Sequence, residues 1–232
     1  MYILLTRKYE IASPPSAARN DYVGLPRPDP PRRVPWRDRT GKIAVFVSGN
    51  GSNLQALIES VKKGTIKWKI GLVVSNNKDA YALTRAKKNG IETLALDPMD
   101  FNRAARELKK RKIKLICLAG FLLKLPPQFV RKFKNKIINI HPALLPAFGG
   151  KGMYGLNVHR AVLASGQNVS GCTVHFVDEE YDHGKIILQK KVPVLEGDTP
   201  ETLAKRVLKH EHKIYPLAVK YFCERSVIIK ND

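Results

Sequence analysis

From residue 42 onward the chain keeps one beat: a short apolar run, a turn, then apolar residues every three or four positions. Residues 42–48 (KIAVFVS) form a compact apolar run of the kind that fills a buried strand. Residues 53–63 (NLQALIESVKK) set Leu54, Leu57, Ile58 and Val61 along one helical face and stop at Gly64. The same reading predicts strands over 70–74, 93–96, 114–118 and 136–140, and helices over 80–89, 101–111 and 158–164. Such alternation leaves few options beyond a parallel sheet covered by helices.

The beat changes near the end. Residues 171–177 and 185–192 read as two strands joined by the charged loop 178–184, an antiparallel pair that closes the sheet. Residues 199–221 read as a long terminal helix, with Asp198 or Thr199 as N-cap and Pro200 in its first turn. The expected fold class is α/β: a Rossmann-like, mostly parallel sheet with helices on both faces, late antiparallel strands and a long C-terminal helix. This domain is expected to span residues 42–232. Residues 1–41 differ, holding seven of the 15 prolines and no periodicity. They read as a Pro-rich, basic, flexible arm, because such a segment buries too little surface to offset its ordering entropy. A targeting leader or an over-extended start of translation are the other readings, and Asp21, Asp29 and Asp38 speak against the leader.

Composition narrows the setting. No run approaches the roughly 18 apolar residues that a membrane span needs. Three cysteines (Cys117, Cys172, Cys223) without a CxxC pair argue against a disulfide framework and for a reducing, cytoplasmic setting. No Cys, His or carboxylate cluster has metal-ligand spacing, so no metal is expected. Lys and Arg total 41 against 20 Asp and Glu, a formal charge of +21 that suggests an anionic partner. The basic residues are spread along the chain, without aromatic interleaving or a helix-turn-helix pattern. The charge therefore reads as a solvated surface or small-anion steering rather than nucleic-acid readout.

Two places carry chemistry. The GNGSN turn after the first strand places Gly49 and Gly51 where the backbone must approach closely, and Gly51, Ser52 and Asn53 where a helix begins. Unpaired N–H groups and the helix dipole make such a turn an anion site. Leu54 stands where a dinucleotide fingerprint has its third glycine, and no Walker Lys follows, so the turn suits a monophosphate. An ordinary strand-to-helix turn capped by Asn53 is the competing reading. Further on, IINIHPALLP puts Asn139 and His141 two apart at a strand end, on one face. An amide beside an imidazole suits a developing oxyanion, although a lone His there also serves structure alone. Asp182 in VDEEYDHG would orient His141 and raise its pKa if the fold joins them. His175 either holds the Asp182 loop or bonds to backbone.

Together these stretches resemble the phosphoribosylglycinamide formyltransferase family. The resemblance runs from about residue 42 to about 224 through VSGNGSNLQALI, LAGFLLKL, NIHPALLPAF, GCTVHFVDEEYDHGKIILQ and EHKIYPLAVKYF. It implies formyl transfer from 10-formyltetrahydrofolate, as co-substrate, to the amine of glycinamide ribonucleotide in purine synthesis, by a monomer or homodimer. It also implies that Asn139, His141 and Asp182 are catalytic, with Asp182 keeping His141 cationic. Gly51, Ser52, Asn53, Leu54, Gln55 and Glu211 match the phosphate and ribose site. Leu122, Leu123, Lys124 and Leu125, with Asn139 and Arg103, match the folate site, supported by Leu118, Val130 and Val177. Some positions depart from the family: Leu122 and Leu123 follow AGF where Met-Arg is common, Arg103 is a loose match to an upstream Arg, and Leu208 stands where relatives can have Gln. Formyltetrahydrofolate deformylase and methionyl-tRNA formyltransferase are the related alternatives. The first carries a regulatory domain in front; the second lacks the GNGSN turn and has an extra C-terminal barrel. A non-catalytic nucleic-acid-binding protein is the alternative of another class.

Overall fold

Period-two alternation within a single strand divides the interior into two layers. The computed structural model describes residues 2, 3 and 41–224. Strand β2 (Lys42–Val47) sends Ile43, Val45 and Val47 to one face of the sheet and Ala44 and Phe46 to the other. On the first face lie α1 (Ser52–Lys62), α2 (Tyr81–Lys88), α5 (Leu156–Ala164) and α6 (Pro200–Cys223). On the second lie α3 (Phe101–Lys110) and α4 (Pro127–Lys132), which bury Ala104, Ala105, Leu108, Phe129 and Val130.

Among the described residues the sheet has eight strands, ordered β1-β8-β7-β6-β5-β2-β3-β4. The central strands β3 (Lys69–Ser75), β4 (Thr93–Ala95), β5 (Ile113–Leu118) and β6 (Ile137–His141) run parallel with β2. The late strands β7 (Val169–Phe176) and β8 (Ile186–Pro193) are antiparallel, as the sequence predicts. β1 (Tyr2–Ile3) adds a two-residue antiparallel edge to β8. The arm expected over residues 1–41 otherwise lies, Gly41 apart, outside the described residues.

One local feature was not read from the sequence, and another was left between two residues. Helix α4 is six residues long and opens on Pro126 and Pro127, too short for periodicity to declare it. At α6 the N-cap is Thr199, whose side chain accepts from the Thr202 N–H, while Asp198 pairs with Arg206 instead. The far end of α6 is pinned to the sheet. Tyr215 is fully buried, and its hydroxyl donates to the Leu118 carbonyl at 2.8 Å, with the Ile138 carbonyl at 3.3 Å. That bond ties the terminal helix to the carboxyl ends of β5 and β6. Tyr215→Phe should cost about 1–2 kcal/mol in urea melts at unchanged slope, because two buried carbonyls lose their donor.

Candidate active site

Open α/β sheets leave a crevice beyond the carboxyl ends of their strands. Here a cavity of about 690 Å³ opens beyond β5 and β6, with Leu122–Leu125, Asn139, His141, Asp182, Asn53 and Glu211 in its wall. Asn139 and His141 are the third and last residues of β6 and share its cavity face.

The loop between β7 and β8 brings Asp182 to them. Asp182 Oδ2 lies 3.4 Å from His141 Nδ1 and accepts the Gly150 N–H at 3.0 Å. Asp182 Oδ1 accepts from Asn139 Nδ2 at 3.4 Å and lies 3.6 Å from His175 Nε2. His175 takes both roles that its position allows. Its Nδ1–H donates to the Phe176 carbonyl at 2.8 Å, which turns Nε2 toward Asn139 Nδ2 at 3.1 Å. His141 in turn donates from Nε2 to the Phe148 carbonyl at 2.8 Å. The side chain of His141 is 4% exposed and that of Asp182 11%, so this carboxylate and imidazole meet away from bulk water.

Burial then sets the charges. For Asp182, burial favours the neutral acid, but the neighbouring His175 and His141 imidazoles and the Gly150 N–H together outweigh it. The carboxyl is held below its ordinary range and is ionised at pH 7. For His141, burial is the larger influence and lowers the pKa, against the opposing pull of Asp182 and the Phe148 carbonyl. The free site therefore holds a neutral His141 at pH 7, where the sequence led to the expectation of a cation. A sequence shows the partner carboxylate but not the depth at which the pair is sunk.

The glycine turn also differs from its simple reading. Gly51, not Asn53, is the N-cap of α1, with φ 75° and no side-chain cap. A Cβ there would stand 2.6 Å from the Ala82 Cβ, so both conformation and space call for glycine. Asn53 instead reaches across to α6 and donates from Nδ2 to Glu211 Oε2 at 2.6 Å. Of the residues matched to phosphate and ribose, Asn53 and Glu211 line the cavity. Gly51 and Ser52 stand half-buried at the start of α1. The Leu54 side chain is in the core, so only its N–H faces the helix start. Gln55 is withdrawn altogether: its N–H donates to the Gly51 carbonyl and its side chain donates to Glu59.

On the opposite wall all of Leu122, Leu123, Lys124 and Leu125 line the cavity, together with Leu118 and Val177. Val130 packs in the core behind them. Arg103 does not join the wall. The inward face of α3 is taken by Ala104, Ala105 and Leu108, and Arg103 lies exposed on the other side. The spacing that suggested it fixed a position on a helix, but not a face.

Several groups in the wall were not singled out from the sequence. His159 on α5 is 4% exposed, and its Nδ1 has no hydrogen-bond partner among the described residues. Burial, with the nearby His141, lowers its pKa to about 4. The signal was present, since Val158 and Val162 flank His159 at inward helical positions. Asn53 Oδ1 is also buried and unpartnered. Two such atoms in the wall of one cavity are open to a polar ligand or to water. Among the described residues no group of three or more His, Cys, Asp or Glu is arranged to hold a metal ion, and no helix is long and apolar enough to cross a membrane.

Glu211 is the wall's other perturbed acid. Burial raises its pKa to about 7, despite the lowering effect of the Asn53 hydrogen bond. A carboxyl that is harder to ionise folded than unfolded costs stability as pH climbs from about 4.5 through 7. Glu211→Gln keeps an acceptor for Asn53 and removes that cost. Its melting temperature should exceed that of the wild type at pH 8, with the gap shrinking toward pH 5; scanning calorimetry across that range measures it.

The sequence and fold were compared with known proteins. The model of the family described as formyl transferase matches residues 41–219. A protein named phosphoribosylglycinamide formyltransferase, chloroplastic, from Vigna unguiculata is 44% identical over 84% of this chain, which spans 64% of that protein's length. Phosphoribosylglycinamide formyltransferase from Haemophilus influenzae is 40% identical, covering 82% of this chain and 91% of its own. The crystal structure of glycinamide ribonucleotide transformylase 1 from Symbiobacterium toebii superposes with a TM-score of 0.78 at 41% identity, covering 84% of this chain and 92% of that one. This chain belongs to the formyl transferase family, among its phosphoribosylglycinamide formyltransferases.

Proposed function

We propose that this chain transfers the formyl group of 10-formyltetrahydrofolate to the amine of glycinamide ribonucleotide, giving formylglycinamide ribonucleotide and tetrahydrofolate in purine synthesis. The observation that carries the reading is the meeting of Asn139, His141 and Asp182 in one cavity with Asn53 and Glu211. The two substrates fit its two walls. Leu122–Leu125, Leu118 and Val177 offer an apolar, backbone-rich surface to the flat folate head group. The start of α1, at Gly51, Ser52 and Asn53 with the Leu54 N–H, offers unpaired N–H groups to the phosphate. Glu211 faces the ribose hydroxyls.

The roles follow from the bonds. Within the trio the hydrogen bond from Asn139 Nδ2 to Asp182 is long, at 3.4 Å. It lies at the edge of useful geometry, so the amide gives it up at little cost to a stronger acceptor. A carbonyl oxygen gaining negative charge is such an acceptor. The same charge raises the proton affinity of the neighbouring His141, which takes the attacking amine's proton as the oxyanion forms and returns it to the leaving folate nitrogen as the intermediate collapses. His141 thus binds the transition state better than the ground state, the condition for catalysis. Asp182, ionised throughout, balances the protonated imidazole and accepts hydrogen bonds from the attacking amine or from a water.

The chain is read as acting in a reducing compartment, which suits three free thiols. The cytoplasmic reading stands on the acids of residues 1–41, and the Vigna unguiculata relative has chloroplastic in its name. Imaging a fluorescent fusion of the whole chain separates the two. For the reaction, His141→Ala and Asp182→Asn should each lower kcat by about 100- to 1,000-fold while leaving the melting transition cooperative. Product folate appearing from purified chain, formyl folate and glycinamide ribonucleotide is the test. Equal turnover without the nucleotide would show the deformylase reaction instead.

A further inference from the structure

The start of α1 offers the phosphate dipoles but no formal charge: Gly51, Ser52, Asn53 and Leu54 are neutral, and the first turn carries no ionised side chain. The helix dipole is equivalent to roughly half a charge, against nearly two on a phosphate monoester at pH 7. The ionisable group bonded to Asn53 is an acid, Glu211. Arg85 on α2 donates to the Asn50 carbonyl at 2.8 Å and to Asn50 Oδ1 at 2.7 Å in the same turn, but it does not line the cavity, so a cation in the wall comes from elsewhere.

Three lysines line the cavity: Lys124, Lys151 and Lys205. Lys124 is engaged at the folate wall, its Nζ 5.0 Å over the Tyr181 ring. Lys151 follows Gly150, whose N–H holds Asp182, and so belongs to the catalytic loop. Lys205 is the one on α6, the helix that carries Glu211 and packs against α1. That helix shows the cavity Ala204, Lys205, Leu208 and Glu211. Leu208, one turn before Glu211, is apolar and half-buried, and supplies no charge. Lys205, one turn earlier again, is exposed and has no ion pair among the described residues. Its flexible stem can lie along Leu208 and carry the ammonium toward the start of α1.

We propose that Lys205 binds the phosphate of the nucleotide substrate, adding a cation from the cavity wall to Arg85, which is bonded to Asn50 of the glycine turn. This rests on the formyl-transfer reading. Lys205 makes no contact with the reacting atoms, so its loss should appear in substrate affinity alone. In steady-state assays Lys205→Met should raise KM for glycinamide ribonucleotide about tenfold, with kcat and the KM for formyl folate within twofold of wild type. Lys205→Arg should restore most of the affinity. Lys209→Met, a loss of equal charge at an α6 lysine outside the cavity wall, should change neither constant. With the phosphate-free glycinamide riboside as acceptor, wild type and Lys205→Met should have equal kcat/KM. An unchanged KM for the ribonucleotide in Lys205→Met, or an equal loss with the riboside, overturns the assignment while formyl transfer by the wild type stands. A wild-type chain that forms no product removes the formyl-transfer reading and this one together.

Discussion

A carboxylate that is mostly shielded from water must be answered by donors on every side, or it would be protonated or expelled. Asp182 is that carboxylate, and its neighbours come from three segments. Gly150 reaches it from the loop after β6, Asn139 and His141 from β6 itself, and His175 from β7. The loop that presents it is tight. Asp182 itself has φ 53°, in the left-handed region, and a Cβ on Gly184 would stand 1.9 Å from the Phe176 carbonyl. The backbone accepts this shape because so many bonds converge on one side chain. The rim of the 178–184 loop is held separately, by the Arg131–Glu179 ion pair and by Lys124 over the Tyr181 ring.

Beneath the trio is a second buried polar layer. Thr173 Oγ1 donates to the Ala143 carbonyl and accepts from the Leu145 N–H, and Gln189 Nε2 donates to both the Leu145 carbonyl and Thr173 Oγ1. This anchors the segment after His141 to the antiparallel strands, so the imidazole stands on a rigid base. On the other side Ser48 joins the two substrate walls. Its hydroxyl donates to Asn76 and accepts the Leu122 N–H, while its own N–H donates to the Gly120 carbonyl. The residue before the glycine turn thus fixes where the 122–125 wall begins. Neither side of the cavity is set independently of the other.

What the sequence disclosed follows the range of each signal. Strand and helix order is local information, and every long element stands where its periodicity placed it. Asn139 and His141 were legible because strand ends in parallel sheets converge and gave them one place to point, whereas Asp182 joined them only through the family resemblance. Faces and depths were not legible. Arg103 and Asn53 were placed on the right elements, but α3 turns Arg103 outward, and α1 turns Asn53 toward Glu211, 158 residues away in sequence. Leu54 and Gln55 sit beside the turn in sequence, yet the helix commits one to the core and the other to its own hydrogen bonding. The charge of His141 depended on burial, a property of the whole fold.

Burial also separates the three titrating groups by role. Asp182 is pulled down, His141 is pushed down and Glu211 is pushed up to about 7. In the free site that leaves Asp182 as the one fully ionised group of the three, with Glu211 partly ionised at pH 7. His141 stays neutral, which limits the electrostatic cost of a site this enclosed. His141 and Glu211 can each take on charge when a ligand compensates it: the imidazole when negative charge grows on the reacting oxygen, the carboxyl when hydroxyl groups donate to it. A permanently cationic His141 would bind the ground-state carbonyl and the oxyanion with less contrast. The depth that hides His141 from the sequence reader is therefore the property that makes its charge conditional on the reaction.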